Sequence, residues 1–185
     1  MNRDLQDTDT NLIIRCRKGE ARAQFILFRK YSKAMYNIAV RFTNNRMDAE
    51  DILQESFITA FERLQELENT ASFPSWLKRI VVNRSVDHIR KKRLKFDDLD
   101  DSVADIQETG DEADLNIDPE LIHEMIKNLP QGGRTVLVLH VLEGYKHREI
   151  AEMLGISEST SKSQYTRAIG LLYSNLKQKF YATEA

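Results

Sequence analysis

Residues 96–124 carry 12 Asp and Glu and neither Lys nor Arg. The blocks on either side are basic on balance, with 19 Lys and Arg against 12 Asp and Glu in residues 1–95, and eight against five in residues 125–185. An acidic segment with few apolar residues cannot bury enough surface to offset the entropy cost of ordering it. The chain is therefore predicted to form two units, residues 1–95 and 119–185, joined by a flexible acidic linker over residues 96–118.

Both units are predicted to be helical throughout, which makes the fold class all-α with two helical domains. The chain of 185 residues contains only 7 Gly and 3 Pro, and so few turn residues favour long helices over a β-rich fold. Apolar residues recur at spacings of three and four, the period of one helix face. The predicted helices cover residues 12–18, 20–43, 48–64, 73–93, 119–128, 132–142, 146–153 and 157–179.

Short polar signals mark the predicted helix ends in the first unit. Thr10 or Asn11 is expected to begin the first helix, Asn44 and Asn45 to end the second, and Asp48 to begin the third. The apolar face of the second helix is predicted to consist of Phe25, Phe28, Met35, Ile38, Ala39 and Phe42.

Residues 148–157, REIAEMLGIS, are typical of a helix-turn-helix. Ala151 is small where two helices must cross closely, and Gly155 can adopt the left-handed conformation of the turn. Ser157 is expected to cap the second helix. The first helix follows Lys146, a poor N-cap residue, so its start should be weaker. The core of the motif is predicted to be formed by Leu154, Ile156, Ile169 and Leu172.

The second helix of this motif carries short polar and basic side chains that suit a DNA major groove. Lys and Arg favour guanine edges or phosphates, whereas Ser and Thr can reach base edges and the backbone. The residues that would face the groove are Glu158, Ser159, Thr160, Lys162, Ser163, Thr166 and Arg167. The alternative is a plain helical hairpin with a solvated polar face.

Four segments, taken in their order and spacing, resemble the extracytoplasmic-function (ECF) class of bacterial sigma factors. They are DAEDILQESF at 48–57, FPSWLKRIVVN at 73–83, NLP at 128–130, and the helix-turn-helix that ends in SKS at 161–163. Residues 12–95 resemble region 2 of that family, and residues 119–179 resemble region 4. The resemblance implies a non-enzymatic transcription initiation factor that binds core RNA polymerase, recognises the −10 and −35 promoter elements and promotes DNA opening.

The resemblance also implies roles for individual residues. Asp51, Gln54 and Glu55 would bind the clamp helices of the polymerase's largest subunit, although an ordinary solvated acidic face is the alternative. The −10 element would be contacted by Leu67, Phe73, Arg79, Asn83, Arg84, Arg90 and Lys91. The −35 element would be contacted by Thr160, Lys162, Ser163, Thr166 and Arg167. Trp76 could stack on a base, but an aromatic residue at helical spacing is more often part of a core.

Several partners follow from the same resemblance. Core polymerase would be contacted at its clamp helices and its flap, and the promoter DNA at its two elements. An anti-sigma factor would cover these surfaces until a signal releases them. The acidic linker is open to three interpretations: a tether, an occupant of a basic polymerase channel, or a segment that folds back on the basic faces and suppresses DNA binding.

The remaining features predict no further site. The single cysteine, Cys16, excludes an internal disulfide and is expected to be a buried small hydrophobe. The four histidines, at positions 88, 123, 140 and 147, stand at no metal-ligand spacing, and no cofactor motif is present, so neither metal nor cofactor is expected.

The sequence also predicts a location and leaves one rival function to weigh. No apolar run reaches the about 18 residues of a membrane span, and the N-terminus is polar, so a cytoplasmic protein without membrane insertion is expected. The rival function is a helix-turn-helix transcriptional regulator that binds DNA as a dimer without acting as a polymerase subunit. The acidic face of the third helix and the basic fourth helix argue against that function, because a sensor domain needs neither.

Overall fold

The computed structural model describes residues 8–95 and 119–183, and all regular structure within these ranges is helical. The chain divides after Lys92 into two compact units. The predicted all-α fold is thus confirmed. The predicted linker, residues 96–118, lies outside the described residues, so its three interpretations stay predictions.

From residue 8 onward, the first unit is built from four helices in sequence: α1 (Asp9–Arg17), α2 (Ala21–Thr43), α3 (Arg46–Glu62) and α4 (Phe73–Lys95). Two single turns of 3-10 helix, Leu64–Glu66 and Thr70–Ser72, connect α3 to α4. The predicted helices are confirmed, and their ends differ from the observed ones by no more than three residues.

Two of the predicted helix starts are wrong. Thr8, not Thr10 or Asn11, caps α1, because its backbone is still extended and its hydroxyl accepts the Asn11 N–H at 3.4 Å. Asn45 caps α3 through its side-chain oxygen, which accepts the Asp48 N–H at 3.1 Å. Asp48 instead lies in the first turn, where its negative charge still suits the helix dipole.

The core of the first unit follows the predicted face of α2 only in part. Met35, Ile38, Ala39 and Phe42 are buried as predicted, but Phe25 is 59% exposed and Phe28 is only partly buried. Leu27 is fully buried, because a step of two residues turns the helix by about 200°. The largest fully buried side chains of this unit are Leu12, Ile13, Leu27, Phe42, Leu64, Phe73, Leu77, Val81 and Val82.

Within residues 119–183 the second unit forms four more helices: α5 (Pro119–Lys127), α6 (Gln131–Leu137), α7 (His147–Leu154) and α8 (Glu158–Thr183). The segment Val138–Leu142 continues α6 as one wider π-helical turn, so the predicted helix over 132–142 is confirmed.

Helices α5, α6 and α8 are held together by two small-scale features. Gly133 of α6 lies against α8, where an added Cβ would stand 3.2 Å from the Ala168 Cβ. Arg134 is buried, and its guanidinium donates to the carbonyl oxygens of Lys127 at 3.0 Å and Leu129 at 3.1 Å. Burial lowers the pKa of Arg134. The arginine thereby ties the end of α5 to α6.

The turn between α7 and α8 has the predicted geometry. Gly155 is left-handed, with φ 65° and ψ 40°, and the Ser157 hydroxyl accepts the Thr160 N–H at 3.0 Å. Lys146 gives α7 no side-chain cap, but the Glu149 carboxylate accepts its N–H at 2.7 Å. The predicted core is confirmed only in part. Leu154 is buried, Ile156 and Leu172 are half-buried, and Ile169 is 40% exposed while the adjacent Ala168 is buried in its place.

Candidate functional site

The acidic face of α3 is exposed. Asp51, Gln54 and Glu55 all lie at the surface of the first unit, and their spacing puts them within about one turn of the helix. The Glu55 carboxylate accepts a hydrogen bond from Arg84 of α4 at 2.6 Å. Two residues with different predicted partners, polymerase for Glu55 and DNA for Arg84, therefore form one ion pair.

An apolar groove of about 380 Å³ lies beside this acidic face, between α2 and α3. Two of its side chains, Phe25 and Ile58, are 59% and 58% exposed. Gln54 belongs both to the groove and to the predicted polymerase-binding set. The groove is lined by Ala21, Gln24, Phe25, Phe28, Gln54, Phe57, Ile58 and Phe61.

One side of α4 presents a row of polar side chains. Arg79, Asn83 and Arg90 are exposed, and their spacings of four and seven place them on one face of the helix. Asp87 lies in the same row, with its carboxylate 3.5 Å from the Arg90 guanidinium. Lys91 is also exposed, nearer the side of Arg84.

A second side of α4 faces the acidic residues of α3. Besides the Arg84–Glu55 pair, the Asp48 carboxylate lies 3.3 Å from the His88 Nε2 and 3.5 Å from the Lys92 Nζ. Arg84, His88 and Lys92 are four residues apart, so they share one face. This face differs from the one that carries Arg79 and Asn83.

Two predicted DNA contacts are buried instead of exposed. Leu67 is 5% exposed and Phe73 is fully buried, so neither side chain belongs to an accessible surface. The reason is tertiary: Arg17 of α1 donates to the carbonyl oxygens of Leu64, at 3.1 Å, and Leu67, and Phe73 packs edge-on against Tyr31. Leu67 and Phe73 are therefore part of the core, whereas Glu68, Asn69 and Ala71 between them are exposed. Trp76, next to Phe73, is half-buried.

The second unit presents most of the predicted face of α8. Thr160, Lys162, Ser163 and Thr166 are exposed, and Arg167 is half-buried. The Lys162 Nζ lies 2.7 Å from the Glu158 carboxylate one turn earlier, and this contact lowers the pKa of Glu158. The exposed face thus combines hydroxyl groups with an ion pair at the start of the helix.

Family models match both units. Residues 27–95 match Sigma-70 region 2, and residues 120–172 match Sigma-70 region 4. The RNA polymerase sigma-H factor of Pseudomonas aeruginosa is 30% identical over 175 residues, which cover 88% of this chain and 91% of that protein. The chain belongs to the sigma-70 family.

Other similar proteins indicate which class of sigma factor this chain belongs to. The ECF RNA polymerase sigma factor SigW of Bacillus subtilis is 30% identical over 174 residues, covering 87% of this sigma factor and 92% of SigW. The solved structure of CnrH, in complex with the cytosolic domain of CnrY, shares 24% identity and a TM-score of 0.50, covering 93% and 99% of the two chains. The fold is therefore shared, and the chain is an ECF-type sigma factor that acts in transcription initiation.

One cluster of this sigma factor escaped the sequence analysis. His140 and His147, which stand at no metal-ligand spacing in the sequence, come together with Tyr165 of α8. The His147 Nδ1 lies 3.0 Å from the hydroxyl of Ser161, which is fully buried on α8. The only signal in the sequence is a spacing of seven residues across the turn after α6, which does not predict contact without the fold.

The described part of the sigma factor offers neither a metal site nor a membrane span. Among the described side chains, no group of three or more His, Cys, Asp or Glu could hold a metal ion. Over residues 8–95 and 119–183, no helix combines the length and apolarity needed to cross a bilayer. Cys16 is buried, as predicted.

Proposed function

We propose that this sigma factor reads the −10 element with α4 and the −35 element with α8, and docks on the polymerase clamp helices with α3. The observation that carries the proposal is the pairing, within one unit, of an exposed acidic face on α3 with an exposed basic and amide face on α4. A DNA-binding module needs only the second face. A polymerase subunit needs both.

The −10 assignment uses the row on α4. Arg79 and Arg90 supply the positive charge that phosphates attract, and the Asn83 amide can donate to and accept from one base edge. Arg84 and Lys91 lie beside this row and would add backbone contacts. Leu67 and Phe73 are left out of the assignment because their side chains are buried.

The −35 assignment uses the exposed start of α8. The N-terminal residues of a recognition helix are the ones that reach base edges in helix-turn-helix complexes. Thr160, Ser163 and Thr166 would contact bases or phosphates through their hydroxyl groups, and Lys162 and Arg167 would contact phosphates or guanine edges.

The polymerase assignment uses charge and apolar surface together. Asp51 and Glu55 can pair with basic residues of a partner helix, which gives specificity and speeds association. The groove beside Gln54 exposes Phe25 and Ile58, and clustered apolar side chains of this kind mark interaction sites. The polymerase flap would contact the second unit.

The chain performs no reaction in this scheme; catalysis belongs to the polymerase, and the protein acts in the cytoplasm. Docking on polymerase supplies binding free energy that offsets the cost of unstacking the −10 bases, a few kcal/mol per flipped base. An anti-sigma factor would inhibit by covering the faces on α3, α4 or α8. The acidic linker would at least tether the two units.

Run-off transcription tests the proposal. Purified core polymerase is incubated with genomic promoter fragments, with and without the protein, and the transcripts are mapped. Transcripts with defined start sites should appear only when the protein is added. Asn83→Ala should reduce open-complex formation without reducing core binding, and Asp51→Lys should reduce core binding. If the protein binds DNA alone while core polymerase neither binds it nor gains specificity, the regulator function replaces this one.

A further inference from the structure

Arg84 is held on α3 by two hydrogen bonds. Its Nη1 donates to the Glu55 carboxylate at 2.6 Å, and its Nη2 donates to the Thr59 hydroxyl at 2.5 Å. Glu55 and Thr59 are four residues apart and therefore neighbours on one side of α3. Because the two acceptors engage different nitrogen atoms, they fix the orientation of the planar guanidinium.

The position of Arg84 on α4 distinguishes it from the exposed row. Asn83 is its immediate neighbour in sequence, but successive helix residues point about 100° apart. Asn83 is exposed, whereas Arg84 is partly covered by α3. A DNA strand that follows Arg79 and Asn83 along α4 would pass beside Arg84, whose hydrogen bonds are already directed toward α3.

The Arg84–Glu55 pair can be exchanged for other partners. The Arg84 side chain is 38% exposed and the Glu55 side chain is 61% exposed, so solvent and macromolecules can reach both. Exposed ion pairs contribute little to stability, and breaking one costs little. A carboxylate and a phosphate also offer a guanidinium similar pairs of acceptor oxygens. They therefore compete for Arg84.

We propose that the Arg84–Glu55 pair couples polymerase docking to DNA affinity. In the free chain, Glu55 occupies the guanidinium that a DNA phosphate would otherwise bind. A basic polymerase side chain that pairs with Glu55 releases Arg84 to the DNA. The proposal rests on the proposed function, which assigns Glu55 to polymerase and Arg84 to DNA. Because coupling free energies are reciprocal, bound DNA favours polymerase docking by the same factor.

The free full-length chain gives the first test. Its affinity for a fluorescent oligothymidylate of about 20 nucleotides is measured between about 50 and 200 mM salt, because a phosphate contact is independent of base sequence. Glu55→Gln should strengthen binding about two- to fivefold, the range of an exposed ion pair. It should also steepen the slope of log affinity against log salt by about 0.7, the contribution of one phosphate contact on a single strand.

Three variants control for charge and folding. Glu62→Gln removes the same charge from an exposed site two turns along α3, and should leave the salt slope unchanged. Arg84→Gln is the reference for the double variant, and its affinity and salt slope are measured in the same series. The double variant Glu55→Gln with Arg84→Gln should lose the stronger oligothymidylate binding that Glu55→Gln alone shows. Circular dichroism checks that every variant is folded.

Several results would overturn the coupling. It fails if Glu62→Gln strengthens oligothymidylate binding as much as Glu55→Gln does, or if the double variant keeps the stronger binding. It also fails if Arg84→Gln leaves the salt slope of the polymerase holoenzyme on promoter DNA unchanged, since docking should have brought Arg84 to the DNA.

Core binding separates this proposal from the proposed function. If Asp51→Lys weakens core binding while Glu55→Gln and Glu62→Gln behave alike, the docking face stands and the coupling fails. If Asp51→Lys and Glu55→Lys both leave core binding intact, the docking assignment itself fails. Stronger DNA binding by Glu55→Gln in the free chain would then show only that Glu55 and DNA compete for Arg84. The coupling to polymerase would fail, because its premise would be wrong.

Discussion

The imidazole rings of His140 and His147 are stacked, with their centroids 4.2 Å apart and their planes at 25°. Tyr165 of α8 packs edge-on against both rings. The His140 Nδ1 lies 2.8 Å from the Tyr145 carbonyl oxygen and the His147 Nδ1 lies 3.0 Å from the Ser161 hydroxyl. Two charged rings at this distance repel each other, and this repulsion is one reason why the pKa of His147 is lowered.

The stack predicts that acid destabilises the second unit. Burial lowers the pKa of His147, the charges of His140 and Lys162 lower it further, and Glu158 opposes them. The unfolded chain, with a histidine pKa of about 6.5, therefore binds the proton first. Stability should fall as the pH drops through this value and below. His147→Gln should flatten the decline of thermal unfolding temperature between about pH 7.5 and 5.5; parallel curves for parent and variant would contradict this.

Close packing at Gly133 predicts that valine destabilises the chain more at this position than at the neighbouring Gly132. Gly133→Val should destabilise the chain by about 1–3 kcal/mol through overpacking, because the new Cβ would meet the Ala168 Cβ at 3.2 Å and the Gln164 carbonyl oxygen at 3.4 Å. Gly132→Val is the matched control. The three atoms nearest to its Cβ would all belong to the end of the Gln164 side chain, at 3.0–3.1 Å, and this end can rotate away. Denaturant unfolding of both variants measures the difference, and equal losses would refute the explanation.

Cys16 is predicted to be chemically inert in the folded chain. Burial raises its pKa to about 11, with Arg15 opposing and Glu20 adding to the shift. At pH 8 only about 0.1% of the thiol would be the reactive thiolate. Iodoacetamide should label the native chain far more slowly than the urea-unfolded chain, as followed by mass spectrometry. Equal labelling rates would show that the thiol is accessible.

The −35 assignment predicts different effects for two lysines of α8. Lys162→Ala should weaken holoenzyme binding to a promoter found by run-off transcription, and should reduce the salt slope by about 0.9, the loss of one phosphate contact on duplex DNA. Lys177→Ala is the control, since Lys177 is also exposed but lies about four turns further along the helix. Filter binding across a salt series separates the two, and identical slopes would remove Lys162 from the interface.

Features set by residues within one helical turn could be predicted from the sequence. The helices, the left-handed Gly155 and the Ser157 cap depend on local backbone and side-chain chemistry, and the structure has them where they were predicted. The errors at Thr10 and Asp48 are also local, because several polar residues near each start can cap and the sequence does not say which backbone is still extended.

Contacts between helices could not be predicted in the same way. Arg84 and Glu55 are 29 residues apart, and their pairing depends on how α3 packs against α4. Leu67 is among the predicted −10 contacts, yet Arg17, 50 residues earlier, donates to its carbonyl oxygen, and the Leu67 side chain is buried. Phe25 fits the apolar spacing of α2, but it is exposed because no neighbouring helix in the described part of the chain covers that part of α2. Helix periodicity alone carries none of this information.

Helix α1 has a consequence for how the first unit can be divided experimentally. The Sigma-70 region 2 match begins at residue 27, downstream of α1, but Leu12 and Ile13 are fully buried and Arg17 binds the loop that leads to α4. A fragment cut at residue 27 would open the apolar interior to water and release that loop. The residue at which the family match begins is therefore not a residue at which an independently folding fragment can begin.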